Sequence, residues 1–200
     1  MHTNLPAQSI AAIATLVAAL ITGAVSFVNL TLTKEQKVSE FRQAWIDSLR
    51  DDLASFLGAA RAFSRAVEAL HVYGPDYKEK GALLISDQKV GDLRYQAAET
   101  FSRIKLRLNA TESEHVELLR LLRRAIDEQN TMLKNKSAAD STLEAIEAAN
   151  EYARTVLKKE WERVKKGEFA FRVARNWIAP AIFLFSVAFV VLVWNGTIQL

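Results

Sequence analysis

Residues 10–32 read IAAIATLVAALITGAVSFVNLTL, and this stretch decides the fold. No Asp, Glu, Lys or Arg occurs from Met1 to Thr33. At about 1.5 Å per residue, a helix over this run crosses a hydrocarbon core of roughly 30 Å with some tilt to spare. A signal peptide wants a basic n-region and a shorter apolar core, and neither is present. The core helix of a soluble domain rarely runs this far without a charge. The stretch from Leu5 to Leu32 therefore reads as a transmembrane helix.

A second apolar run, WIAPAIFLFSVAFVVLVW, extends from Trp177 to Trp194. Its two tryptophans stand roughly 26 Å apart along a helix, the spacing of an aromatic belt on both sides of a bilayer. Pro180 is tolerated in the first turn if this helix starts near Asn176, and should kink a helix that runs straight through. All 26 Lys and Arg and all 23 Asp and Glu lie between the two runs, in residues 34–175. Three parts follow: 1–33, an N-terminal tail and first span; 34–175, a charged helical domain; 176–200, a second span and a short outer tail. Basic residues crowd the inner flanks at Lys34, Lys37 and Arg42, and again from Lys158 to Arg175. The positive-inside rule then puts the middle in the cytoplasm and both termini outside. Lys165, Lys166, Arg172 and Arg175 interleave with Phe169, Val173 and Trp177, a mixture suited to lipid headgroups. Such bases contribute about 1 kcal/mol each near an anionic leaflet, whether as an ordinary flank or as specific lipid recognition.

Apolar residues spaced by threes and fours predict four helices in the middle. The first covers 34–72, with Val38, Phe41, Trp45, Leu49, Leu53, Phe56, Ala60, Phe63, Val67 and Leu70 inward. Nothing breaks it from the first span, so it should project roughly 60 Å from the membrane. Tyr73-Gly74-Pro75-Asp76 stops it. The Gly-rich segment 73–92 becomes the distal tip, with Tyr73, Asp76 and Tyr77 as candidate partner contacts. A second helix is expected over 83–108, and a third over 112–134 with Val116, Leu119, Leu122, Ile126 and Leu133 inward. Thr111 and Glu114 form a capping-box pattern at the start of the third. The fourth is expected over 141–166, with Trp161 on its apolar side and Gly167 as an interruption. The fold class is an all-α membrane protein: two transmembrane helices flank a cytoplasmic four-helix bundle or stalk, whose first and last helices run into the spans.

Composition is poor in chemistry. With no cysteine, thiolate metal sites, disulfides and cysteine nucleophiles are excluded. No phosphate loop or nucleophile elbow occurs. Glu112, Glu114, His115 and Glu117 sit at a helix start, where the dipole favours acids, and are not read as metal ligands. Asp47, Asp51 and Asp52 with Arg50 read as a solvated face. No catalytic residue, metal or cofactor is expected. Two basic clusters, Arg103, Lys105, Arg107 and Arg120, Arg123, Arg124, could face each other and touch an acidic partner or nucleic acid, but read first as a solvated surface. Interspersed acids and the lack of an aromatic platform, with a net charge of only +3, disfavour nucleic acid.

The polar pattern inside the first span is more informative. Ala11, Thr15, Ala19 and Gly23 recur every fourth residue as a small-residue ridge that lets helix backbones approach closely. Thr15, Ala19, Thr22, Ser26 and Asn29 form a weakly polar stripe, whose groups prefer a protein neighbour or water to lipid. Three readings stay open: packing on the second span, self-association of several copies, or lining a pore.

The segment KEQKVSEFRQAWIDSLRDDL, Lys34 to Leu53, resembles a juxtamembrane segment of small bacterial membrane proteins. The layout of two spans around a helical domain resembles two-transmembrane effectors of anti-phage defence systems, retron effectors among them. That resemblance implies a bacterial inner-membrane protein that disrupts the membrane when a sensor partner triggers it. It carries over no functional residue. The expectations are thus a non-enzymatic effector with the bilayer, further copies of itself and a cytoplasmic protein as partners, or else a passive membrane anchor for such a protein.

Overall fold

The computed structural model describes residues 7–76, 86–167 and 169–194. Tyr77 and the terminal tails, 1–6 and 195–200, lie outside the described residues. All regular structure among them is helical: α1 (Ala7–Tyr73), a 3₁₀ turn (Gly74–Asp76), α2 (Asp87–Arg107), α3 (Ser113–Asn135), α4 (Asp140–Lys166), α5 (Phe169–Val173), a π-helical turn (Ala174–Ile178) and α6 (Ala179–Trp194). The chain divides into two compact units, Arg42–Arg163 and the pair Met1–Phe41 with Val164–Leu200. The apolar first part of α1 is long enough to cross a membrane by length and composition.

Unit Arg42–Arg163 is four helical segments around one core. Leu49, Leu53, Phe56, Phe63 and Val67 of α1 meet Leu93, Ala97 and Ile104 of α2, Leu118, Leu122 and Met132 of α3, and Ala149, Ala153 and Val156 of α4. Small residues on α4 allow close approach, and each large side chain buried here contributes about 1.5–3 kcal/mol. One buried amide ties the layers: Gln129 Nε2 donates to the Ala60 carbonyl at 2.7 Å and to Ser64 Oγ at 3.0 Å. Ser86 Oγ accepts the Lys89 N–H at 3.2 Å. Lys136 closes α3 in the left-handed region, φ 52°, with Met132 O accepting its N–H and that of Ser137. The Ala139 N–H ahead of α4 donates to Glu68 Oε1 of α1 at 3.0 Å.

Several sequence expectations need correction. Thr111 and Glu114 do not form a capping box. Glu112 is the N-cap residue without a side-chain cap, and Asn109 Oδ1 instead accepts both the Thr111 N–H and its hydroxyl. Asn competes well for such local turns. The inward face of α3 runs through Leu118, Leu122, Ala125, Gln129 and Met132, leaving Val116 exposed; a polar core residue disguised the stripe. On α4, Glu160 is buried where Trp161 was expected. On α1, Phe41 is exposed and Ile46 buried. Asp52 does not belong to a solvated face: it is buried and accepts from Arg103 Nε at 2.9 Å and Arg107 Nε at 2.7 Å.

In the other unit, Gly167 ends α4 with φ +66°, a conformation that side chains resist. A Cβ there would stand 2.9 Å from Glu35 Oε1 and 3.0 Å from a Phe171 ring carbon, so glycine also permits this close approach to α1. The chain is helical through Pro180, as the straight-through alternative requires. Proline cannot donate to the carbonyl four residues back and its ring crowds that carbonyl. The π-helical turn just before it relieves the conflict, with the Ala179 N–H reaching the Ala174 carbonyl.

Candidate functional site

Two features of the described chain stand out, one in each unit. The first is the open face of α1. Half-buried positions recur at Val17, Ile21, Ala24, Val28 and Thr31, steps of four and three, and continue to buried Glu35. That rhythm marks one covered side of the helix. The predicted stripe lies on the other side: Ala11, Thr15, Ala19, Thr22, Gly23, Ser26 and Asn29 are all exposed. A Cβ built on Gly23 meets nothing within 4 Å.

The polar groups of the stripe differ among themselves. Thr15 Oγ1 donates to the Ala11 carbonyl and Thr22 Oγ1 to the Ala18 carbonyl, each at 2.8 Å. Their hydroxyls are satisfied within the helix, so they ask less of a neighbour than their polarity suggests. Ser26 and Asn29 make no side-chain hydrogen bond among the described residues. Asn29 brings two donors and an acceptor, the largest unmet demand on this face.

The second feature is a polar joint where the α2–α3 connection meets α1 and α4. Trp45 of α1 donates its indole N–H to the Arg107 carbonyl at 3.2 Å and stacks at a tilt, 5.9 Å between centroids, on His115. His115 is buried and its Nδ1 accepts the Asn109 N–H at 3.0 Å. An accepting Nδ1 places the proton of the neutral ring on Nε2. Nε2 is itself buried without a hydrogen-bond partner, 3.9 Å from Glu160 Oε1. Arg163 Nη1 bridges Glu112 Oε2 at 2.7 Å and Glu160 Oε1 at 2.6 Å. Lys159 pairs with Glu114 alongside. The Arg163 hydrogen bond, ahead of every other influence, holds the Glu112 carboxyl below its ordinary value; Lys159 does the same for Glu114, lowered to about 2.

Glu112, His115 and Glu160 offer donor atoms within 4.8 Å of one another, the outline of a metal site. Two observations speak against that use. A metal-bound imidazole donates its other N–H to an acceptor, whereas here Nδ1 faces a donor. Both carboxylates also already share the Arg163 guanidinium, so the joint carries its own cation. Sequence reasoning missed Glu160 and Arg163 because both are far along the chain from His115; the buried position of Glu160 in an otherwise apolar α4 stripe was the one available signal.

The candidate partner residues do not form one surface. Tyr73 ends α1 and Asp76 ends the 3₁₀ turn after it, whereas Arg107 lies beside Trp45, roughly 40 Å from Tyr73 along α1. Arg103 and Arg107 turn to Asp52, and Arg120 donates two hydrogen bonds to the Glu117 carboxylate, Nε to Oε2 at 2.7 Å and Nη2 to Oε1 at 2.6 Å. Arg124 is exposed and forms no ion pair among the described residues. Lys165, Lys166, Arg172 and Arg175 are exposed, with the Arg175 guanidinium 5.3 Å above the Phe171 ring. No protein-family model, curated protein or solved structure matches this chain.

Proposed function

We propose that the chain is a non-enzymatic effector of a bacterial inner membrane. Its two apolar runs cross the bilayer, its charged helical unit binds a cytoplasmic partner or senses a signal, and both termini lie outside. Copies associate through the open face of α1 and so perturb the membrane, as an anti-phage effector does when its partner triggers it. The observation that supports this most is the placement of the small and polar stripe on the face of α1 that the rest of its unit leaves exposed. The helix α1, Ala7 to Tyr73, contributes residues to both units. Induced expression in bacteria loaded with a potential-sensitive dye tests the reading. Loss of membrane potential is expected, reduced by Gly23→Leu, which blocks close helix approach. An unchanged potential under conditions that trigger the system overturns it.

A second reading, a passive anchor for a cytoplasmic partner, draws on the back-bonded hydroxyls of Thr15 and Thr22. Satisfied hydroxyls suit a packed helix contact better than the lining of an aqueous path. Exchange of both apolar runs for unrelated spans separates the two: an anchor keeps its activity and an effector loses it.

A further inference from the structure

Between α2 and α3 the unit Arg42–Arg163 leaves an open groove of about 450 Å³. Its floor is Phe63 of α1, and its apolar walls are Phe101 of α2 with Ile126 and Leu133 of α3. Arg94 and Arg123 stand on opposite walls. Arg94 lies with its guanidinium 5.9 Å from the centre of the Phe63 ring. Neither arginine has a carboxylate partner among the described residues. Arg50, Arg61, Arg65, Arg103, Arg107, Arg120, Arg154 and Arg163 of the unit are ion-paired; Arg42 and Arg124 share with Arg94 and Arg123 the lack of a carboxylate partner among the described residues, and only the latter two line the groove. Asp127, on α3 one turn beyond Arg123, is the one acid in the lining, so two arginines against one carboxylate leave the groove net positive.

We infer that this groove docks an acidic amphipathic helix of a partner protein, its apolar ridge on Phe63, Phe101, Ile126 and Leu133 and its carboxylates on Arg94 and Arg123. The groove is lined along two helices, by α2 from Arg94 to Ser102 and by α3 from Arg123 to Leu133, a length that suits a docked helix. Those runs correspond to roughly 12–15 Å, two to three turns of a docked helix. A helix seated there meets the groove with its i, i+3, i+4, i+7 residues, the usual helix-in-groove mode. Planar guanidiniums suit carboxylates in two-point contact, and their positive rim selects partners by charge. The inference rests on the reading that the helical unit binds a partner. It does not rest on membrane perturbation, so the two can fail separately.

The test uses the full chain in lipid nanodiscs and fluorescence anisotropy of a labelled 18-residue amphipathic peptide. That peptide carries leucine at the i, i+3, i+4, i+7 positions and glutamate beside them; its twin has lysine for every glutamate. Saturable binding of the acidic peptide is expected, at least tenfold tighter than its twin. The double variant R94Q/R123Q should weaken it at least tenfold. R50Q/R154Q, with the same charge change elsewhere, should not, and melting curves followed by circular dichroism report that both variants fold. Equal binding of the two peptides, no binding, or equal losses in the two double variants overturns the inference. Laurate binding that depends on Arg94 and Arg123 while the acidic peptide does not bind also overturns it, in favour of a small amphipathic anion.

Discussion

Asn29→Leu should weaken self-association in the membrane, while Thr15→Val and Thr22→Val should leave it nearly unchanged. All three replacements remove polarity from one exposed face of α1, so composition alone predicts similar effects. The hydrogen bonds say otherwise. The Thr15 and Thr22 hydroxyls are spent on Ala11 and Ala18 at 2.8 Å each, and valine keeps their shape. The Asn29 carboxamide has no intramolecular partner among the described residues, so in lipid its best acceptor or donor is another copy. Hydrogen bonds between membrane helices average about 0.6 kcal/mol and reach about 1.7 kcal/mol. At about 1.4 kcal/mol per tenfold, Asn29→Leu raises the dissociation constant roughly 3- to 16-fold. Energy transfer between donor- and acceptor-labelled copies, titrated against lipid in vesicles, measures this directly. Unaltered association of Asn29→Leu, or an equal loss in Thr15→Val, refutes the reasoning.

Three further outcomes are expected in the helical parts. Gly167→Ala should cost about 1–3 kcal/mol, because φ is +66° and the new Cβ meets Glu35 and Phe171; melting in nanodiscs checks it, and an unchanged midpoint refutes it. Asp52→Asn should cost about 1–3 kcal/mol in denaturant unfolding, since Arg103 and Arg107 lose a buried acceptor yet are partly exposed and regain water. Glu68 is held below its ordinary carboxyl value by the Ala139 N–H first and by Arg65 next. A carboxyl depressed in the folded state contributes stability that is complete above the ordinary value of 4.5 and is lost as pH falls through the lower folded value. Stability against pH should therefore fall more steeply for the wild type than for Glu68→Gln below about pH 5; parallel curves contradict this.

Helix number and order were legible from apolar spacing because α1, α2 and α4 carry stripes with few polar intrusions. The stop at Gly74 and the break at Gly167 were legible because a left-handed residue at a helix end selects glycine. The face of α3 was legible in part: Leu122 is buried and Leu119, Ile126 and Leu133 pack against the core, whereas Val116 is exposed and Gln129, satisfied by Ala60 and Ser64 on another helix, sits in the core unforeseen. Asp52 was misread for the same reason: its partners, Arg103 and Arg107, lie on α2, and local sequence offered Arg50 instead. The open stripe of α1 was visible as a pattern. Which side of the helix would be covered, and that two of its hydroxyls turn back on the helix, depend on three-dimensional neighbours and rotamers that spacing does not encode.

The joint around His115 gives the sharpest contrast between residue types and arrangement. Two glutamates and a histidine suggest a divalent metal; the hydrogen bonds assign the place to Arg163. Arg163→Met separates the two. If the guanidinium is the resident cation, its removal strands Glu160, whose side chain is only 8 % exposed. Stranding a buried carboxylate costs about 3–5 kcal/mol, and the half-open Arg163 lowers this to about 2–3 kcal/mol. Replacement of Glu160 by Gln in the same chain removes the charge that was stranded, so the double variant should recover most of the loss. Added zinc should not, because the His115 ring faces the Asn109 N–H through Nδ1 and keeps its proton on Nε2, the atom a metal would need. Denaturant unfolding of the two variants with and without zinc decides the matter: recovery by zinc, without recovery by Glu160→Gln, would show that the carboxylates and imidazole were built for a metal and that Arg163 is the substitute.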